Sequence, residues 1–123
     1  MIDHITIEVS DVERSKVFYE KLFAPLWYTV AFGEEGVFWS FTIGDGLFEF
    51  QKAETVGPIS HVHVAFRVSS RTDVDAFYTA GLAAGGIDNG APGPRPNYTP
   101  NYYACFVRDP DGHNIEAMHD LPR

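Results

Sequence analysis

The feature that most constrains this chain is a match between its two halves. DHITIEVSDVERSKVFYEKL, residues 3–22, aligns without a gap on VHVAFRVSSRTDVDAFYTAG, residues 62–81. His4 meets His63, Val9 meets Val68, Ser10 meets Ser69, and Phe18-Tyr19 meets Phe77-Tyr78. Self-similarity of this kind marks two copies of one supersecondary unit, so the fold must be one that two such units build together.

The physics repeats along with the letters. Each copy opens with strand alternation: His4, Thr6 and Glu8 oppose Ile5, Ile7 and Val9, while His63, Ala65 and Arg67 oppose Val64, Phe66 and Val68. Each then changes to helical spacing. Ser10 and Glu13 fit a capping box ahead of Phe18, Tyr19 and Leu22; Ser70 and Asp73 fit one ahead of Val74, Phe77 and Tyr78. Residues 36–51 read as two strands around Gly44-Asp45-Gly46, and residues 101–119 read the same way around Asp109-Pro110-Asp111-Gly112. LWYTVAF, residues 26–32, supplies a further strand to the first half. Residues 86–91 are its weaker counterpart, and PGPRPNYTP, residues 92–100, reads as an insertion. Each half is therefore β-α-β-β-β, and the chain is one α+β domain over 1–123, with module 1 at about 1–55 and module 2 at about 60–121.

Charge narrows the partners. Nine basic against seventeen acidic residues give a net charge of −8, and no run of Lys or Arg forms a patch, so neither nucleic acid nor an anionic membrane surface is expected. Cys105 is the only cysteine, which excludes an internal disulfide, and burial as a small hydrophobe is expected for it. The opening MIDHITIEV lacks a basic leader, and no apolar run reaches the ~18 residues of a bilayer span. A cytoplasmic protein is expected.

Two βαβββ modules, each with a histidine on its first strand and a glutamate on its last, resemble the vicinal oxygen chelate superfamily. It includes glyoxalase I, methylmalonyl-CoA epimerase, fosfomycin-resistance enzymes, extradiol dioxygenases and metal-free bleomycin-resistance proteins. The resemblance runs from IDHITIEVSDVERSKVFYEKLF to FVRDPDGHNIEAM, and DPDGHNIE is close to the DPDG-x-x-IE ending usual in that family. It implies that the strands curl into an open half-barrel with helices on the convex side and a divalent metal ion on the concave side. It also implies a small-molecule substrate with two adjacent oxygens, and a homodimer with sites that can be shared between chains.

Strand parity agrees with that picture. His4, Glu49, His63 and Glu116 all fall on the polar face of their strands, opposite Ile5, Phe48, Phe50, Val64, Ile115 and Ala117. These four are the metal ligands that the resemblance implies. Two imidazoles and two carboxylates suit Ni²⁺, Co²⁺, Mn²⁺, Fe²⁺ or Zn²⁺. The glyoxalase I pattern places a ligand at Glu49, whereas fosfomycin-resistance enzymes use only His, His and Glu; the sequence fits either, and Gln51 shares the face of Glu49. A glyoxalase-type reaction needs a carboxylate that takes a proton next to a carbonyl and returns it at the neighbouring carbon, through a metal-stabilised enediolate. Glu116 or Glu49 would serve.

Trp39, Arg67, Arg95 and Tyr98 are the candidate substrate contacts, the last two within APGPRPNYTPNYY, residues 91–103, read as a rigid connector or a lid. Glu8 and Arg67 sit in equivalent inward positions and could pair across the barrel. His61, His113 and His119 are assigned surface or packing roles. No set of side chains matches a glutathione grip. The leading expectation is a metal-dependent lyase or isomerase of glyoxalase type. The alternative is a metal-free binding protein of bleomycin-resistance type, whose negative charge and aromatics would suit a cationic ligand.

Overall fold

The computed structural model describes residues 1–122. Module 1 contains β1 (His4–Val9), α1 (Val12–Phe23), β2 (Val30–Glu34), β3 (Phe38–Ile43) and β4 (Gly46–Lys52). Module 2 contains β5 (His63–Arg67), α2 (Arg71–Ala83), β6 (Ile87–Pro94), β7 (Tyr103–Arg108) and β8 (Asn114–His119). The order is β1-β4-β3-β2 in one four-stranded sheet and β5-β8-β7-β6 in the other, so the repeat in the letters is a repeat in topology. The first and last strands of each module run parallel, and the remaining pairs are antiparallel. Two open sheets with two helices give the expected α+β architecture, without a closed barrel. No helix among the described residues is long and apolar enough to cross a membrane.

One core serves both modules. Ile7, Val9, Phe41, Phe48 and Phe50 of the first sheet join Phe66, Val68, Ile115 and Ala117 of the second in a single cluster with Phe18, Tyr19, Phe23, Val74 and Phe77 of the helices. Aromatic rings stitch the seam: Phe66 lies 5.2 Å from Phe23 and 5.4 Å from Phe48, centroid to centroid. Each such ring, fully buried, contributes on the order of 1.5–3 kcal/mol. The faces opposite the helices turn away from this shared core. On module 2 that face carries a small apolar cluster of its own, Ala104, Phe106 and Met118, with Tyr102 packed against it.

Sequence and structure part at several elements. The expected strand at 26–32 begins only at Val30, because Ala24–Leu26 forms a 3₁₀ turn instead. Pro25 presets the first residues of that turn, and Trp27 closes it in the left-handed region at φ 61 with its N–H on the Ala24 carbonyl. In module 2 the weak segment at 86–91 becomes a strand reaching Pro94, with register shifts between Asp88 and Gly90 and between Gly90 and Gly93. Those shifts let an edge strand accept Gly and Pro. The α2 cap is as read, with Ser70 accepting from the Asp73 N–H. The α1 cap is Asp11 rather than Ser10, since the Asp11 carboxylate accepts the Arg14 N–H. Glu13 is thereby freed from a capping box. It accepts the Gly36 N–H and the Trp39 indole N–H, which lower its carboxyl pKa from the ordinary value.

Candidate metal centre

Strand parity delivers each ligand candidate to the side it was assigned, and β-pairing sets which ones meet. In module 2, His63 and Glu116 stand on neighbouring parallel strands, with Ala65 opposite Glu116. The His63 Nε2 lies 2.8 Å from Glu116 Oε2. Glu116 is only 3% exposed, whereas the His63 side chain is 52% exposed. A carboxylate so withdrawn from water must have donors on it. The second donor is the Tyr102 hydroxyl, 2.5 Å from Glu116 Oε1.

Module 1 repeats the arrangement more openly. Thr6 lies opposite Glu49 across the β1–β4 pair, and its hydroxyl donates to Glu49 Oε1 at 2.9 Å. His4 is exposed, with Nδ1 2.7 Å from Asp3 Oδ1. Because a carboxylate only accepts, that contact places the proton on Nδ1 and leaves Nε2 as the ring's lone-pair donor, the orientation common in carboxylate–histidine–metal units. The Asp3 hydrogen bond raises the His4 pKa above 6.5, and the nearby Glu49 charge acts in the same direction.

Of the four candidates only His63 and Glu116 touch; His4 bonds Asp3 and Glu49 bonds Thr6 on neighbouring strands, with the Glu49 charge near enough to act on His4. Among the described residues no group of three or more His, Cys, Asp or Glu side chains could hold a metal ion. Imidazole and carboxylate donors are of a type that suits a divalent ion of the Ni²⁺, Co²⁺, Mn²⁺, Fe²⁺ or Zn²⁺ kind. His63 and Glu116, in contact across neighbouring strands, are the better-formed pair.

The remaining candidates divide. Trp39 pairs in register with the core residue Phe50, on the helix-facing side. Its indole is tied to Glu13 at 3.0 Å and covered by the Lys16 ammonium at 4.4 Å. It therefore packs α1 onto the sheet and does not line the open face, against its assignment as a substrate contact. Arg67 and Glu8 do not pair as expected: Arg67 donates to the Asp120 carbonyl, and the Glu8 carboxylate accepts the Glu54 N–H. Arg67 shares the face of His63. Arg95 donates to the carbonyls of Ala91 and Pro94 while lying 5.6 Å over Phe106, itself 6.0 Å from the His63 ring. Tyr98 meets Tyr102 edge-on at 5.0 Å. Both therefore border the Glu116 pair. His113 is fully buried, with Nε2 2.7 Å from the Glu8 carbonyl and Nδ1 accepting the Val62 N–H.

Comparison with known proteins follows the same geometry. Residues 1–117 match the family model described as the Glyoxalase/Bleomycin resistance protein/Dioxygenase superfamily. The chain belongs to that superfamily. It is 31% identical to a metallothiol transferase FosB of Shouchella clausii, over 94% of this chain and 77% of that protein. It is 30% identical to a "Probable lactoylglutathione lyase" of Vibrio cholerae, over 95% of this chain and 88% of that one. Among solved structures, a glyoxalase/bleomycin resistance protein from Albidiferax ferrireducens T118 superposes with a TM-score of 0.87 at 30% identity, covering 98% of this chain and 99% of the other. Membership of the superfamily makes the repeat intelligible, since the glyoxalase fold is built from two such modules.

Sequence reading missed three members of the site: Tyr102, Thr6 and Asp3. Tyr102 carried a signal. It alternates with Tyr103 ahead of Ala104 and Phe106, which parity places on the Glu116 face. Thr6 likewise shares the parity of His4.

Proposed function

We propose that this glyoxalase-superfamily protein is a divalent-metal-dependent lyase or isomerase. Its substrate is a small molecule with two adjacent oxygens, and it works as a homodimer in which module 1 of one copy faces module 2 of its partner. The observation that carries this reading is the pair of half-sites, His4 with Glu49 and His63 with Glu116, at equivalent positions of the two modules. One chain presents them on faces directed away from its own core, so a second copy is the economical way to complete a four-donor set. In the dimer His4, Glu49, His63 and Glu116 hold the ion, which supplies Lewis-acid stabilisation of negative charge on the substrate's paired oxygens.

The two carboxylates are held differently, and this divides their work. Glu116 is buried with both oxygens engaged, one by His63 and one by Tyr102. It is the fixed anchor. Glu49 is half-buried and takes a side-chain hydrogen bond from Thr6. Its carboxylate accepts the proton from the carbon beside the substrate carbonyl and returns it to the neighbouring carbon. Arg67, on the face of His63, and Tyr98, at the rim, border the substrate.

Elemental analysis of protein purified without a histidine tag tests the reading, together with thermal melts with and without chelator. Bound metal, or a rise in melting temperature on adding Ni²⁺, Co²⁺, Mn²⁺ or Zn²⁺, supports it. No metal and no shift would replace it with the metal-free binding protein. Methylglyoxal with a panel of thiols is the first substrate screen, and E49Q should bind metal yet lose turnover.

A further inference from the structure

Tyr102 closes the loop between β6 and β7, and the loop is fixed by its own hydrogen bonds. The Arg95 N–H donates to the Tyr102 carbonyl at 2.7 Å, and the Tyr102 N–H donates to the Thr99 carbonyl at 3.2 Å. The Thr99 hydroxyl donates to Asp120 Oδ2 at 2.8 Å, tying the loop to the end of β8. The Arg95 guanidinium folds back on the Ala91 and Pro94 carbonyls. Four prolines between Pro92 and Pro100 stiffen what remains. The phenol is thereby delivered to Glu116 from a preset backbone.

We propose that Tyr102 is a positioning residue that holds Glu116 Oε1 by hydrogen bond and so presents Oε2 alone, beside His63 Nε2, as a one-oxygen metal ligand. This inference rests on the metal-dependent reading above and adds the residue that sets how Glu116 binds. The geometry carries it. A carboxylate can grip an ion with one oxygen or with both, and a donor fixed on one oxygen removes the second mode. The 2.5 Å separation lies in the range of charge-assisted O–H···O⁻ bonds, which are roughly twice as strong as neutral ones. His63 occupies Oε2 at 2.8 Å, the atom an ion would share with the imidazole, whereas the Tyr102 hydroxyl is on Oε1. Partners of this kind orient a ligand, and losing one typically weakens metal affinity by about 10- to 100-fold.

Y102F removes only the hydroxyl, and Y103F is its control, because the Tyr103 hydroxyl donates to Asp75 instead. Co²⁺ is titrated into metal-free wild type, Y102F and Y103F by calorimetry, with visible absorption recorded for each. Y102F should bind about 10-fold or more weakly. Its absorption should also weaken, because a second carboxylate oxygen raises the coordination number. Y103F should match wild type in both, and the metal-free melting temperature of Y102F should establish that it is folded. Should folded Y102F bind Co²⁺ with wild-type affinity and spectrum, the positioning role is overturned while the metal-dependent reading stands. If wild type binds no Co²⁺, both fall.

Discussion

The Nε2 of His113 lies 2.7 Å from the carbonyl oxygen of Glu8, 105 positions earlier in the chain, and its Nδ1 accepts the N–H of Val62. A backbone N–H can only donate, so the ring carries its proton on Nε2 and gives it to Glu8. One fully buried imidazole thus joins the end of β1 to the segment entering β5, across the two modules. The neighbouring Asp109 reinforces the junction. It accepts the N–H groups of Asp111 and His113 on Oδ1 and the Tyr19 hydroxyl on Oδ2 at 2.6 Å.

His113→Ala removes a fully buried ring together with its two part-buried hydrogen bonds, to the Glu8 carbonyl and from the Val62 N–H. Each bond contributes roughly 0.5–1.5 kcal/mol net, so a destabilisation of at least about 1–3 kcal/mol is expected. Urea unfolding should show a lower midpoint, and His113→Gln should recover part of the difference.

Tyr19→Phe removes one donor from the buried Asp109 carboxylate and leaves the ring in place against Phe48 and Phe50. Since the lost bond is to a charged acceptor, the expected cost is about 1.5–3 kcal/mol. Thermal unfolding would measure it. An unchanged midpoint would mean that Asp109 finds another donor.

If ligands come from two copies, complementary variants rescue each other. H4A/E49A destroys the module 1 pair, and H63A/E116A the module 2 pair. Mixed, unfolded and refolded together, they form dimers in which one site regains all four donors. Metal content should be near zero for each variant alone and should reappear in the mixture. A site confined to one chain predicts no recovery.

Burial pushes the Cys105 thiol from 9.0 up to about 12, and the buried Tyr19 hydroxyl is raised well above 10.0 by its burial and by Asp109. Both groups stay protonated in the folded chain while the unfolded chain ionises. Their contribution to stability is complete below about pH 9 and declines as pH rises from there toward the folded values. Chemical unfolding between pH 7 and 11 should show that loss, with a shallower slope for C105A. A thiol reagent at pH 8 should label the denatured protein quickly and the native protein only through opening.

The parts of the fold that were legible share one property: the signal is local and repeated. His4 and His63 fell on the correct face because alternation in HITIEV and HVAFRV is unambiguous, and the α2 cap was readable because Ser70 and its target are three residues apart. Trp27 was hidden because its left-handed backbone follows from chain reversal after Pro25, not from its own preference. Trp39 could be read either as core or as a ligand contact, because its fate depends on Glu13 and Lys16, which reach it only when α1 docks. Tyr98 and Tyr102 look alike as letters. Only the closure of Arg95 on Tyr102 decides which phenol reaches Glu116. The proposed meeting of the two pairs depends on association between copies, for which strand periodicity carries no information.

The seam in which Phe66 meets Phe23 and Phe48 has a consequence for either half alone. A single half expressed alone would leave those rings uncovered unless a second copy of it supplied the missing side. Within one polypeptide the seam of each half is covered by the other. Expressed separately, the halves should precipitate or recombine. The faces opposite the helices lie outside this mutual cover, so substitutions there leave the shared core untouched.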